Sequence, residues 1–130
     1  MVKVWTNGCF DVLHRGHLEM LRYAKSLGDV LVVGVDSDSK VRNAKGPSRP
    51  FNTLENRIAL LRELRCVDEV VSFDSAEELE QRVKEYKPEY LVVGSDWQGK
   101  KVVGEEYAQK VRFFDRVGTF STTQILEYLK

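Results

Sequence analysis

Short apolar runs alternate with amphipathic stretches along most of this 130-residue chain, and this alternation limits the fold more than any other feature. Val30–Val35 and Tyr90–Val93 are uninterrupted apolar runs of the kind found in buried parallel strands. Segments with apolar residues at helical spacing lie between such runs. Strands that alternate with helices in this way predict a parallel sheet with helices on both faces.

The order of the segments predicts an α/β fold, a Rossmann-like, doubly wound, five-stranded parallel sheet in a single domain over residues 1–130. The predicted strands are Val2–Thr6, Val30–Val35, Glu69–Phe73, Tyr90–Val93 and Val111–Phe114. The predicted helices are His17–Leu27, a helix from the Thr53 cap to about Leu64, Ala76–Tyr86 after the Ser75 cap, and a last helix from Ser121 or Thr122 to near Leu129. The polar, basic segment Asp36–Pro50 contains glycine and proline, and we predict a loop there.

Composition argues against several classes of protein. Basic and acidic residues number 20 each, so the net charge is zero, which argues against nucleic acid as a partner. No apolar run approaches the roughly 20 residues of a membrane helix, and no secretory leader precedes the first predicted strand. We therefore expect a cytoplasmic protein with no membrane partner. Cys9 and Cys66 lack metal-type spacing, and we expect two reduced thiols.

The segment Asn7–His17 carries the strongest functional signal. It lies between a predicted strand and a predicted helix, where a glycine-bearing loop binds phosphate through backbone N–H groups and the positive end of the helix dipole. His14 and His17 add two imidazoles that can donate hydrogen bonds to phosphate oxygens. Gly16 lets a ligand approach the backbone closely. The segment predicts a site for a phosphorylated ligand.

Polar residues also follow the other predicted strands. Asp36 and Asp38 come after the second strand, Gly94–Trp97 after the fourth, and Arg116–Thr123 after the fifth. The carboxyl ends of parallel strands meet at one edge of a sheet, and ligands bind there at the point where the strand order reverses. We therefore expect these residues to surround the same site as the histidines.

The segment Gly8–His17, together with Ser121-Thr122-Thr123 at the start of the last helix and Arg116 upstream, resembles the HxGH nucleotidyltransferase, or cytidylyltransferase-like, family. Two branches of that family are similar to this chain. Asn7–Asp11, Lys45–Pro50 and Val102–Gly104 resemble the adenylyltransferase domain of heptose kinase/adenylyltransferases. Asp96–Lys100 and the spacing of Arg116 from Ser121 are closer to glycerol-3-phosphate cytidylyltransferase.

The resemblance implies roles for individual residues. It implies catalytic roles for His14, His17 and Lys45. It implies nucleotide contacts from Gly8, Cys9, Phe10, Asp11, Gly16, Arg116, Ser121, Thr122 and Thr123. It implies acceptor contacts from Arg49, Asp36, Asp38, Asp96 and Trp97. The residues themselves leave open that Asp11 caps the loop, that Trp97 only packs, and that Arg57 forms a structural ion pair.

The reaction implied by the resemblance is nucleotidyl transfer from a nucleoside triphosphate to a small phosphorylated acceptor, with release of pyrophosphate. The leading substrate pair is ATP with a heptose or other sugar 1-phosphate, and the alternative is CTP with glycerol 3-phosphate or a polyol phosphate. A third interpretation is a nucleotide-binding module without turnover. We expect Mg²⁺ as the cofactor, held mainly by the triphosphate and not by a protein metal site. The resemblance is also compatible with a homodimer.

Overall fold

The fold is known from a computed structural model that describes residues 1–115 and 121–129. Its strands are β1 (Lys3–Gly8), β2 (Val30–Asp36), β3 (Glu69–Phe73), β4 (Tyr90–Gly94) and β5 (Lys110–Phe114). Its α-helices are α1 (Arg15–Ser26), α2 (Asp38–Lys45), α3 (Leu54–Arg62), α4 (Ala76–Tyr86) and α5 (Thr122–Tyr128). Short 3₁₀ turns cover Ser95–Trp97 and Glu105–Tyr107.

The strands form one sheet in the order β3-β2-β1-β4-β5, and every pair is parallel. The predicted doubly wound parallel sheet is therefore confirmed. The chain moves outward in one direction from β1 through β2 to β3, and then returns to the other side of β1 with β4. The order thus reverses between β1 and β4, and a crevice opens beyond their carboxyl ends at Gly8 and Gly94.

Alternate residues of the central strands build a core on each face of the sheet. On one face Val4 packs with Leu21 and Ala24 of α1 and Leu61 of α3. On the other face Trp5 packs with Leu79 and Val83 of α4 and with neighbouring strand residues. Because successive side chains of a strand point to opposite faces and both faces are covered, the stretch Val30–Val35 of β2 has no polar side chain. In the described parts of the chain, no helix has the length and apolar character needed to cross a membrane.

The prediction of a loop over Asp36–Pro50 is wrong in its first half, because α2 occupies Asp38–Lys45. Ser37 caps this helix by accepting a hydrogen bond from the backbone N–H of Lys40. Only Val41 of α2 is buried, so the segment has almost no apolar stripe from which a helix could be recognised. The helix nevertheless matters for the site, since its last residue is Lys45.

Candidate active site

The loop between β1 and α1 ends in a helix cap made by two imidazoles. His14 is the N-cap of α1, and its Nδ1 accepts a hydrogen bond from the backbone N–H of Gly16 at 3.1 Å. Nδ1 of His17 accepts in turn from the backbone N–H of His14 at 3.3 Å. The first turn of any helix has backbone N–H groups without helical partners. The two side chains thus fulfil the roles that serine and glutamate play in the usual capping box.

This cap determines which ring nitrogen carries the proton. Because both Nδ1 atoms accept hydrogen bonds, the proton of each neutral ring lies on Nε2, which is then a donor. The rings of His14 and His17 stack with their centroids 3.8 Å apart. Burial, followed by the charges of His14 and Lys45, lowers the pKa of His17 to about 4. At neutral pH His17 is therefore an uncharged hydrogen-bond donor.

Both histidines line a cavity of about 370 Å³ at the crevice between β1 and β4. Its walls are formed by His14, Gly16, His17, Met20, Lys45, Gly94, Ser95, Asp96, Phe114, Ser121, Thr122 and Thr123. The structure thus brings together the predicted histidines, the predicted lysine and the hydroxyl cluster of α5. We call this space the histidine cavity.

A larger cavity of about 660 Å³ adjoins the histidine cavity, and the two share Lys45 and Thr123. We call it the loop cavity, since the segment after α2 forms one wall and α5 forms the other. It is lined by Lys45, Ser48, Arg49, Phe51, Thr123, Leu126, Glu127 and Leu129. Lys45 therefore stands at the junction of two spaces, a position suited to a cation that meets two anionic substrates.

Asp11 anchors the loop that carries Arg49. Its carboxylate, only 1% exposed, accepts hydrogen bonds from the backbone N–H groups of Phe51 and Asn52 and from Nε of Arg49 at 3.0 Å. Burial alone would raise the pKa of Asp11, but these hydrogen bonds outweigh it and lower the pKa. Both oxygens of Asp11 are therefore used within the chain to hold a loop, and the nucleotide contact stays a prediction.

Asp36 and Asp38 also have structural partners and line neither of the two cavities. Asp36 pairs with Lys40 at 3.1 Å, and Asp38 pairs with Nη2 of Arg57 at 2.7 Å. Arg57 is fully buried and also donates to the backbone carbonyls of Cys9, Asp36 and Asn52. The acceptor contacts of Asp36 and Asp38 stay predictions, while the ion pair predicted for Arg57 is confirmed.

Several other predicted residues lie outside both cavities. Gly8 ends β1, Cys9 and Phe10 follow it in the loop, and the Phe10 ring lies 5.4 Å from the His17 ring. Burial raises the pKa of the Cys9 thiol. Trp97 is 46% exposed and lines neither cavity, whereas its neighbour Asp96 does line the histidine cavity. Arg116 lies outside the residues that the structure describes.

The hydroxyl cluster at the start of α5 is partly used within the fold. Ser121 caps the helix by accepting from the backbone N–H of Gln124, and Thr122 donates to the carbonyl of Val12 at 3.0 Å. Thr123 Oγ1 lies 3.5 Å from Nη1 of Arg49. The cluster therefore ties α5 to the histidine loop and the Arg49 loop while it lines the histidine cavity.

Sequence reasoning did not assign several lining residues. Apolar residues with no chemical signal line both spaces: Met20 and Phe114 in the histidine cavity, and Phe51, Leu126 and Leu129 in the loop cavity. Gly94, by contrast, belongs to the Gly94–Trp97 segment that the sequence places at this sheet edge, and it lines the histidine cavity. A Cβ at Gly94 would come within 2.7 Å of Oδ1 of Asp96, so only glycine leaves that carboxylate its place.

The donor set fits a metal ion that is bound mainly by the substrate. Among residues 1–115 and 121–129, no group of three histidine, cysteine or acidic side chains is arranged to hold a metal. Asp96 places one carboxylate on the wall of the histidine cavity. Mg²⁺ prefers oxygen ligands and commonly combines one or two carboxylates with phosphate oxygens and water.

The sequence profile of the family described as Cytidylyltransferase-like matches residues 5–125. The chain belongs to the cytidylyltransferase-like family. This range includes the histidine loop, the Lys45 segment and the hydroxyl cluster of α5, so every part of the histidine cavity falls within the matched region.

Relatives and solved structures agree with this membership. The chain is 48% identical to the bifunctional protein HldE of Helicobacter hepaticus and 49% identical to that of Sulfurimonas denitrificans, in each case over 98% of the chain and 26% of the relative. It thus spans about a quarter of the length of these relatives. The solved lipopolysaccharide core biosynthesis protein of Thermoplasma volcanium superimposes with a TM-score of 0.70 at 32% identity, covering 93% of this chain and 99% of that one.

Proposed function

We propose that the chain transfers an adenylyl group from ATP to a heptose 1-phosphate or a related sugar 1-phosphate. The observation that supports this most strongly is the histidine cavity, where two imidazole donors, Lys45 and the hydroxyl cluster of α5 converge. The relatives named HldE support the adenylyl branch, because HldE is a heptose kinase/adenylyltransferase. The solved Thermoplasma volcanium structure is of a lipopolysaccharide core biosynthesis protein, which fits a sugar acceptor.

In the proposed reaction, a phosphate oxygen of the acceptor attacks the α-phosphorus of ATP. A new P–O bond forms, the bond from the α-phosphorus to the α–β bridging oxygen breaks, and pyrophosphate leaves with that electron pair. Negative charge grows on the α-phosphate oxygens and on the bridging oxygen. Such a reaction needs positioning and electrostatic stabilisation and no covalent intermediate.

Each part of the histidine cavity has a task in this reaction. The Nε2–H groups of His14 and His17 donate to oxygens on which charge develops, and the cap fixes both rings before the substrate arrives. Lys45 reduces the repulsion between the two anionic substrates. The β- and γ-phosphates lie toward Ser121, Thr122 and Thr123. Mg²⁺ bound to the triphosphate would neutralise part of its charge, and Asp96 places a carboxylate on the wall of the same cavity.

Pyrophosphate release tests the proposal. The protein is incubated with Mg²⁺, each of the four nucleoside triphosphates, and either heptose 1-phosphate or glycerol 3-phosphate. Release is expected with ATP and heptose 1-phosphate and should be strongly reduced in the His17→Asn variant. Release only with CTP and glycerol 3-phosphate would replace the adenylyl proposal with the cytidylyl alternative, which the Asp96–Lys100 segment resembles. Binding of a nucleotide without release in any pair would indicate a binding module.

A further inference from the structure

Phe10 has a backbone conformation that an aromatic residue rarely adopts. Its φ is 51°, in the left-handed region that favours glycine and, among other residues, asparagine. In the part of the chain that the structure describes, Lys87 is the other non-glycine residue with a positive φ, and it caps the end of α4, where helices commonly have such a residue. Phe10 lies between β1 and α1 and ends no helix, so its conformation needs a different explanation.

The two carbonyl groups that flank Phe10 are held by side chains from another part of the chain. The carbonyl of Cys9 accepts a hydrogen bond from Nη1 of Arg57 at 2.9 Å, and the carbonyl of Asp11 accepts one from Nδ2 of Asn52 at 2.7 Å. Arg57 is itself fully buried. A backbone conformation that costs energy persists where the surrounding contacts fix it, and such conformations cluster at functional sites. Helix α3 and the loop before it therefore maintain the conformation of Phe10.

This conformation accompanies a buried position of the Phe10 ring beside His17. The ring is 3% exposed, and its centroid lies 5.4 Å from that of the His17 imidazole, with the two planes at 59°. A Cβ at Gly8 would come within 3.2 Å of the Phe10 ring, so the space for the ring depends on the glycine. His14 also contacts the imidazole, with stacked rings 3.8 Å apart. A glycine in place of Phe10 would adopt the same backbone without strain but would supply no ring.

Phe10 covers part of His17 without adding a charge. Burial is the largest cause of the lowered pKa of His17, at about 4, and the positive charges of His14 and Lys45 add to it. The carboxylate of Asp96 lines the same cavity and favours the protonated ring. Because an apolar neighbour disfavours the charged form of an imidazole, the Phe10 ring acts in the same direction as Lys45.

We propose that Phe10 is a positioning residue for His17, whose ring it holds in orientation and shields from water. In this role the side chain of Phe10 acts through His17 and needs no contact with the nucleotide. Asn52 and Arg57 support the role by holding the backbone on either side of Phe10. The inference rests on the proposed function only for its effect on turnover, because the orientation and protonation of His17 are properties of the protein without substrate.

Proton NMR on the full chain tests the inference. The chain has two histidines, so the His17→Asn variant identifies the signals of His17. In the wild type we expect cross-relaxation between the ring protons of Phe10 and His17, and a titration midpoint of His17 near 4. In Phe10→Leu the midpoint should rise by about one pH unit or more, because water reaches the imidazole.

Phe73→Leu is the matched control. Phe73 is as well buried as Phe10, at 1% exposed, but it belongs to the core on the other face of the sheet. Its variant should lose stability and leave the midpoint of His17 unchanged. If Phe10→Leu does not fold, Phe10→Met keeps an apolar side chain at this position and replaces it. Cross-relaxation in the wild type tests the ring contact without any variant.

Steady-state kinetics adds a second measurement. Phe10→Leu should lower turnover about tenfold and leave the KM for ATP within about twofold, because a misplaced donor weakens the transition state more than the bound substrate. The inference would be overturned by a wild-type midpoint of His17 in Phe10→Leu, by an equal rise in Phe73→Leu, by unchanged turnover in Phe10→Leu, or by no cross-relaxation in the wild type. Absence of pyrophosphate release by the wild type, with the NMR results as expected, would remove the proposed function and leave the positioning of His17 by Phe10 standing.

Discussion

The backbone N–H of His14 donates to Nδ1 of His17 at 3.3 Å, and the two imidazole rings stack with centroids 3.8 Å apart. The cap of α1 and the catalytic pair proposed above are therefore the same two side chains. Nδ1 of each ring stabilises the fold, and Nε2 is the ring nitrogen to which the proposed function assigns the chemistry. The two roles can be separated by substitution, because the amide of Asn lies near the position of Nδ1 and the amide of Gln lies near the position of Nε2.

At position 17 we expect Asn to preserve the fold and Gln to preserve part of the activity. The amide of Asn lies near the place of Nδ1 and can accept from the His14 N–H, whereas the longer Gln places an N–H donor near Nε2. His17→Asn should keep its thermal midpoint close to that of the wild type and lose about 10²–10³-fold in turnover. His17→Gln should be less stable than His17→Asn but more active. Thermal unfolding and steady-state kinetics on both proteins check this, and the reverse ranking in activity would contradict the Nε2 assignment.

The low pKa of His17 predicts a loss of stability in mild acid. Burial holds the pKa at about 4 in the folded chain, against about 6.5 in an unfolded one. Between these values the unfolded state binds the extra proton, so stability falls as the pH falls from about 6.5 to about 4. From pH 7 to pH 5 the linkage relation gives about 2 kcal/mol for this one group. Urea unfolding at both pH values should show wild type losing about that much more than His17→Asn. Equal losses would show that His17 titrates normally.

The alternation of apolar runs and helical segments was sufficient to predict the sheet and most of its helices. β3 and α4 have the predicted bounds, because Ser75 and Pro88 mark the ends of α4 clearly. Helix α2 was missed because a short polar helix with one buried side chain leaves no periodic pattern. Helix α1 begins at Arg15, before the predicted His17, because a cap made by imidazoles lacks the serine, threonine or aspartate that usually marks such a start.

The histidine cavity could be predicted in outline because its charged and hydroxyl residues follow strands at one sheet edge. The roles of the acidic residues could not be predicted, because an aspartate near a site has the same sequence signal whether it contacts a ligand or holds a loop in place. Asp11 and Asp38 are bound to Arg49 and Arg57, which lie 38 and 19 positions away along the chain. Such distant pairings depend on how the loops pack, and one sequence does not show them.

Arg57 should be among the most sensitive positions for stability. Its guanidinium donates to the carbonyls of Cys9, Asp36 and Asn52, and so joins the ends of two strands to the loop before α3. Lysine cannot reproduce this fork of donors, and Asp38 and the carbonyls would lose their partner. Arg57→Lys is expected to lower the free energy of unfolding by about 3 kcal/mol. Arg62→Lys, an exposed position on the same helix, is the control and should change it by less than about 0.5 kcal/mol. Similar changes in the free energy of unfolding for both variants would contradict the structural role of Arg57.

Asp11→Asn should loosen the Arg49 loop. An amide keeps one acceptor oxygen, but its NH2 group then faces either the N–H of Asn52 or the N–H groups of Phe51 and Arg49, donor against donor. We expect a loss of about 2 kcal/mol at pH 7, the size of hydrogen bonds to a charged group. Because the pKa of Asp11 is lowered, its contribution is present at neutral pH and is lost as the pH falls through that lowered value. Unfolding curves of variant and wild type should therefore converge in strong acid, and curves that already coincide at pH 7 would contradict the anchoring role.

Lys45→Ala should impair the handling of both substrates, since Lys45 stands where the two cavities meet. A nucleotide contact alone would raise the KM for the triphosphate, and an acceptor contact alone would raise the KM for the acceptor. A cation that offsets repulsion between the two substrates has its largest effect when both are bound, so we expect turnover to fall by about 10²-fold or more. Arg42 is exposed on the same helix and lines neither cavity, so Arg42→Ala, which also removes a cation, is the matched control.

Steady-state kinetics with each substrate varied in turn distinguishes a nucleotide contact, an acceptor contact and an effect on both substrates. A rise in one KM with unchanged turnover, or an equal loss in the Arg42 variant, would show that Lys45 does not act at the junction.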